Sequence, residues 1–182
     1  MSHQFGWSMG KSYFILLAVA VSLVICSCSK KNDKTVADSS VQIGSTAPDF
    51  MLTDVAGNNT TLSSYKGKIV LLEFWATWCP PCKASIPDMV ELQKKYQDKG
   101  FTVLGVSIDT DSDAAAKVAE FSSSHGITYP VLIADEAVPM TYNVMSIPTS
   151  FLISRNGTVI SSYMGYFDGY STKISAEIEK HL

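Results

Sequence analysis

The chain is short of the residues from which several kinds of site are built. It has four cysteines in 182 residues, too scattered for a disulfide framework. Cys26 and Cys28 fall in an apolar N-terminal region, and only Cys79 and Cys82 lie beyond it. A structural zinc site takes about four ligands. No second cysteine pair follows, and His125 and His181 stand alone, so no metal is expected. Lys83 rather than a histidine follows Cys82, which excludes the c-type haem attachment motif. A net charge of −3 and the lack of a basic run interleaved with aromatics argue against nucleic acid. There is no internal repeat. The apolar run Tyr13 to Ile25, interrupted only by Ser22, is short for a membrane span. What remains is the composition of an ordinary globular protein, long enough for one cored domain and an N-terminal extension.

The stretch Glu73-Phe74-Trp75-Ala76-Thr77-Trp78-Cys79-Pro80-Pro81-Cys82-Lys83 organises that domain. Ile69 to Phe74 is apolar except for Glu73, as suits a central parallel strand. Pro80 and Pro81 fit a first helical turn, where a missing N–H costs nothing. Cys79 then sits at a helix N-terminus, with Cys82 one turn on. Unpaired N–H groups and the helix dipole favour negative charge there and lower a thiol's pKa from about 8.5 into a range of roughly 3.5–7.5. Pro80 supplies no N–H, so one donor to a thiolate is missing. Two thiols three apart on one helical face can close a disulfide, and the stretch carries a reactive dithiol.

In chain order, residues 1–28 read as a targeting segment, with Lys11 ahead of the apolar run. Ser29 to Val41 is a polar tether. The folded domain occupies 42–182. Phe50 to Thr53 and Thr60 to Leu62 form strands around the turn Gly57-Asn58-Asn59, and Leu62 to Lys68 is a loop or single helical turn. Pro80 to Lys99 is a helix burying Met89, Leu92 and Tyr96; Gly100 caps it, and Pro87 should kink it. Phe101 to Ile108 is a second buried strand. A helix over Ser112 to His125 has Ala114, Val118 and Phe121 on one face. Pro130 to Ala134 is a strand and Ala137 to Val144 a short helix. Thr149 to Ser154 and Thr158 to Tyr163 flank Asn156-Gly157 as a hairpin. Ser171 to Leu182 is a closing helix with Ile174, Ile178 and Leu182 inward. From the central strand onward the order is β-α-β-α-β-α-β-β-α, an α/β arrangement with a mixed sheet and helices on both faces.

The Cys-x-x-Cys run, with a carboxylate six residues before the first Cys and a Trp just before it, resembles the active site of the thioredoxin superfamily. Gly44-Ser-Thr-Ala-Pro-Asp-Phe50, Leu52-x-Asp54-x-x-Gly57, Leu62 and Tyr65-Lys-Gly-Lys68 narrow the resemblance to the TlpA/ResA/CcmG family. These are membrane-tethered thiol–disulfide oxidoreductases of bacterial envelopes. Ile147-Pro148-Thr149-Ser-Phe-Leu-Ile153 resembles their cis-proline segment and Arg155-Asn-Gly-Thr158 the hairpin after it. The match runs from about residue 42 to the C-terminus. It implies a thioredoxin-like fold with an N-terminal hairpin and a central βα insertion at about Phe101 to Asp135. Ile25-Cys26-Ser27-Cys28 resembles a lipobox with Cys28 as the lipid-bearing residue; an uncleaved signal anchor is the alternative. Either leaves the domain tethered outside the cytoplasm.

The resemblance assigns roles. Cys79 is the nucleophile, and Cys82 is the more buried resolving thiol. Glu73 matches the buried Asp of thioredoxins. Burial in an apolar run should raise its pKa toward neutrality, so that it can exchange a proton with Cys82. Many relatives place a Glu three residues after the second Cys, where this chain has Ser85. Pro148 is expected after a cis bond, with Ile147 pairing its backbone with an extended substrate by strand addition. Trp78 is expected partly exposed and in contact with partners, and Trp75 packed below the site. Lys83 reads as a solvated helix charge and His125 as structural or solvent-facing. The dithiol would be the redox centre, with no cofactor. The implied partners are a protein disulfide, for instance in apocytochrome c, and a membrane electron donor of the CcdA/DsbD type. Two rival functions stand beside this one. Ala47-Pro48-Asp49-Phe50 is shared with peroxiredoxins, but those place a Thr three before the reactive Cys, and Thr77 is two before Cys79. A non-catalytic binding lipoprotein would not need Glu73, Cys79, Cys82 and Pro148 together.

Overall fold

The computed structural model describes residues 41–182; the predicted targeting segment, its Cys28 and the tether as far as residue 40 lie outside the described residues. The strands are β1 Met51–Asp54, β2 Asn59–Thr61, β3 Ile69–Trp75, β4 Phe101–Ser107, β5 Val131–Ile133, β6 Thr149–Ile153 and β7 Val159–Met164. The helices are α1 Pro80–Tyr96, α2 Ala114–Ser124, α3 Ala137–Thr141 and α4 Tyr170–Glu179. All seven strands join one sheet in the order β2-β1-β5-β4-β3-β6-β7. It is mixed. β3 runs parallel to β4 and antiparallel to β6, and the N-terminal β1–β2 hairpin attaches antiparallel to β5. This is the thioredoxin-like α/β architecture expected from the sequence, with helices on both faces.

β3 is buried along its whole length, which is why its sequence is continuously apolar rather than alternating. Strand parity divides it between two cores. Ile69, Leu71 and Trp75 pack with Met89, Leu92 and Tyr96 of α1, Val118 of α2, and Ile174 and Ile178 of α4. Val70, Leu72 and Phe74 pack on the other face with Leu104, Phe151 and Tyr142. Glu73 has the parity of the first set and so points its carboxylate under α1. Because β5 is short, it pairs with β4 only from Gly105 to Ser107. The N–H of Val103, outside that reach, donates instead to the buried side-chain carbonyl of Gln93 on α1 at 2.7 Å, as a buried donor must find a partner.

Helix α1 runs continuously through Pro87 and passes into a 3₁₀ turn over Gln97–Lys99. Gly100 ends it in the left-handed region at φ 79°. A Cβ there would lie 2.6 Å from Nη1 of Arg155. That guanidinium donates to the carbonyls of Gly67 at 2.9 Å and Lys99 at 3.1 Å, tying the hairpin turn to the start of β3. Two expectations need correction. Leu182 does not point inward: α4 stops at Glu179, the last residues leave its helical register, and Leu182 is 42% exposed. The short helix ends at Thr141 rather than Val144, because Asn143 turns into the left-handed region at φ 51°. Among the described residues no helix is long and apolar enough to cross a membrane.

Candidate active site

The site lies at the C-terminal end of β3, where ligand-binding crevices of α/β sheets lie. The chain leaves the strand at Trp75 and turns through Ala76, Thr77 and Trp78 before entering α1. Cys79 is the N-cap residue of α1, with extended backbone at φ −92° and ψ 110°. Pro80 and Pro81 occupy the first turn and supply no N–H. The N–H of Cys82 fills that gap, donating to Sγ of Cys79 at 3.3 Å. The two sulfurs are joined in a disulfide with a Cα–Cα distance of 5.3 Å. Both cysteines are buried, so the expected contrast in exposure between them is small in this oxidised form.

The Ile147–Pro148 peptide is cis, as expected. Its neighbourhood meets the disulfide directly: the carbonyl oxygen of Ile147 lies 3.8 Å from Sγ of Cys79. In the disulfide that sulfur has no hydrogen; as a thiol it would have one to donate. Trp78 is 63% exposed, on the rim of a groove of about 730 Å³ that also includes Ile147, Met140, Met145, Asp109 and Glu136. The groove is therefore apolar along its walls, and the charges it presents are carboxylates.

Glu73 is 2% exposed, and its carboxylate accepts from Ser85 Oγ at 3.0 Å. Burial raises its pKa from 4.5 to about 7, against the opposing pull of that hydrogen bond. The same hydroxyl lies 2.8 Å from the carbonyl oxygen of Cys82. Ser150, opposite Glu73 on β6, shares a hydrogen bond with the hydroxyl of Tyr170 at 2.6 Å. On the other side Glu73 faces Gly105 of β4. A Cβ on Gly105 would come within 3.0 Å of the Trp75 indole nitrogen and 3.2 Å of the Tyr129 ring, so glycine makes room there for both rings. Trp75 does pack below the site, tilted against Phe121 at 5.5 Å between centroids.

Asp109 escaped the sequence reading. It is buried just beyond the end of β4 and accepts from the Thr77 N–H at 3.0 Å, the Thr77 hydroxyl at 2.6 Å and the Ser107 hydroxyl at 2.6 Å. It thereby fixes the turn two residues before Cys79. The signal was a carboxylate just past the end of a buried parallel strand beside the one carrying Cys-x-x-Cys. Two other residues lie away from the sulfur chemistry. The Lys83 ammonium sits 5.5 Å from the centroid of the Phe121 ring, and exposed His125 stacks on that ring at 3.7 Å. Among the described residues no three His, Cys, Asp or Glu side chains converge as a metal site.

Residues 43–162 match the AhpC/TSA family. The thiol-disulfide oxidoreductase ResA of Geobacillus kaustophilus is 41% identical over 143 residues, covering 78% of this chain and 77% of that protein. The thioredoxin-like protein YneN of Bacillus subtilis is 38% identical over 142 residues, covering 78% of this chain and 79% of its own. A crystal structure from Chlorobium tepidum described as the thiol:disulfide interchange protein DsbE superposes with a TM-score of 0.72 at 34% identity, over 78% of this chain and 99% of that one.

Proposed function

Because the chain belongs to the AhpC/TSA family, among its ResA-like thiol–disulfide oxidoreductases of thioredoxin fold, we propose that its Cys79–Cys82 dithiol reduces disulfides of partner proteins outside the cytoplasm. The observation that carries the reading is the placement of Cys79. Its sulfur caps a helix, accepts the Cys82 N–H, and lies beside the carbonyl of Ile147, which with Trp78 lines an open groove.

In this reading the Cys79 thiolate attacks one sulfur of the substrate disulfide, and the other leaves as a thiolate. The N–H of Cys82 and the helix N-terminus stabilise the attacking charge. A substrate strand laid along Ile147 would be held by main-chain hydrogen bonds, with Trp78 against its side chains. Glu73 then takes the proton of Cys82. The Cys82 thiolate attacks Sγ of Cys79, the substrate leaves as its second thiolate, and the proton returns to it through solvent. The substrate gains two electrons and two protons, one from Cys82 by way of Glu73 and one from solvent, where Cys79 released its own on ionising, and the protein is left with the disulfide seen here.

Outside the cytoplasm the surroundings are oxidising, so a reductant must itself be re-reduced. A membrane electron donor of the CcdA/DsbD type fits that need, and an apocytochrome c disulfide fits the substrate class; both rest on the family resemblance. Cys28 as a lipidated N-terminus, or a signal anchor in its place, would hold the domain at the membrane. The test is the reduction potential of Cys79–Cys82, equilibrated in redox buffers and read by Trp fluorescence. A value near or below about −270 mV supports a dedicated reductant. A value near about −120 mV makes the protein an oxidant or isomerase and overturns the direction proposed.

A further inference from the structure

Ser85 has one hydroxyl hydrogen and two acceptors in reach. It lies 3.0 Å from the Glu73 carboxylate and 2.8 Å from the carbonyl of Cys82, and Ser85, Glu73 and Cys82 are all buried. Among the described residues no other side chain donates to that carboxylate. The hydrogen can serve only one acceptor at a time. When Glu73 is ionised, the hydrogen is drawn to the carboxylate, because a bond to a charged acceptor is the stronger one. When Glu73 is protonated, its own O–H can donate to Ser85 Oγ, and the serine hydrogen is free for the Cys82 carbonyl. The hydroxyl therefore rotates with the charge on Glu73.

We infer that Ser85 is a positioning residue for the resolving half of the reaction: it holds the Glu73 carboxylate at the Cys82 turn and stabilises its ionised, proton-accepting form. The inference rests on the oxidoreductase reading and deepens it. The ionisable groups around Glu73 are Tyr129 ahead of β5 and Tyr170 from α4, and Cys82 of α1 is reached by way of Ser85 through its carbonyl. Burial raises both tyrosine pKa values, with a further push from Glu73, so both phenols stay neutral and bring no charge to the carboxyl. Asp88, farther along α1, acts on Tyr170 and adds only negative charge. No cation faces the carboxyl among these groups, which leaves the Ser85 hydroxyl as its specific stabiliser.

The test follows the reduced full-length protein carrying Cys26→Ser and Cys28→Ser, so that only Cys79 and Cys82 react with 5,5′-dithiobis(2-nitrobenzoate), by stopped flow. The first nitrothiobenzoate released reports attack by Cys79, and the second reports resolution by Cys82. The departing thiolate needs no acid, so the second phase isolates removal of the Cys82 proton. Rates are measured from about pH 5 to about pH 9. Ser85→Ala should move the acidic limb of the second phase upward by about one pH unit or more, roughly tenfold slower well below the limb and unchanged above it, as expected for losing a hydrogen bond to a charged group. Ser85→Thr, which keeps a hydroxyl, should return the limb toward wild type. Glu73→Gln should abolish it. A Ser85→Ala limb that coincides with wild type overturns the inference, as does slowing by one common factor at every pH. If Glu73→Gln leaves the wild-type profile unaltered, the base is not Glu73 and the inference falls with it. If only one nitrothiobenzoate is released per protein at every pH, the dithiol reading itself is wrong.

Discussion

Replacing Glu73 by Gln should stabilise the folded protein progressively as pH rises, and the size of the effect follows from its burial. The ordinary glutamate value is 4.5, and in the fold it is about 7 because burial disfavours the charge. Below about pH 4.5 the carboxyl is neutral in both folded and unfolded chains and contributes nothing. Between 4.5 and about 7 the unfolded chain ionises while the folded one keeps its proton. The folded state then binds more protons, so stability falls as pH rises. At about 1.4 kcal/mol per pH unit, the loss reaches about 3 kcal/mol once the folded form has also ionised. Glutamine has the same shape and no such titration. The stability difference, Gln variant minus wild type, should therefore climb through this window by about 3 kcal/mol and level off above it. Any fixed cost of the new amide offsets the curve without changing its slope. Urea unfolding of the oxidised proteins at several pH values from about 5 to about 8 reads this directly. A difference that stays flat, or falls, would refute the claim that Glu73 is held in a desolvated site.

Three further perturbations probe the surroundings. Asp109→Ala leaves the Thr77 N–H and two hydroxyls without their acceptor, and should cost about 2–4 kcal/mol in urea unfolding while slowing reaction of Cys79 with a small disulfide. Trp78→Ala removes an exposed ring, so stability should move by no more than about 0.5 kcal/mol, whereas KM for a protein disulfide should rise with kcat little changed. Gly105→Val forces the Trp75 and Tyr129 rings apart and should destabilise by about 1–3 kcal/mol, seen as a lower Tm together with an altered Trp fluorescence spectrum.

How much of this was readable in the sequence depends on how local each feature is. β3, the turn, and the proline-started helix are specified by neighbouring residues, so period, burial and helix-start chemistry locate them. The β6–β7 hairpin is marked by Asn156-Gly157 in the same way. Burial of Glu73 was legible because an isolated carboxylate in a strand buried on both faces has no route to solvent. Its hydrogen bond to Ser85 was not: the two are brought together only when α1 packs over β3. The Asp109–Thr77 contact spans 32 positions and depends on β3 and β4 ending side by side. Chain-end details failed for a different reason. The amphipathic pattern of α4 continues on paper to Leu182, but a helix end is set by where packing partners stop, and the residues after Glu179 are all exposed.

Cys79 caps the helix with the very atom that exchanges partners. A disulfide sulfur is a weak acceptor, a thiol hardly better, and a thiolate a strong one. Each passage of electrons through the site thus retunes one backbone hydrogen bond, that of the Cys82 amide. The proton on that amide becomes a resident reporter. Its chemical shift and its exchange with deuterium should track the oxidation state of the protein without any added probe, and should separate the thiolate from the thiol where optical signals blur the two.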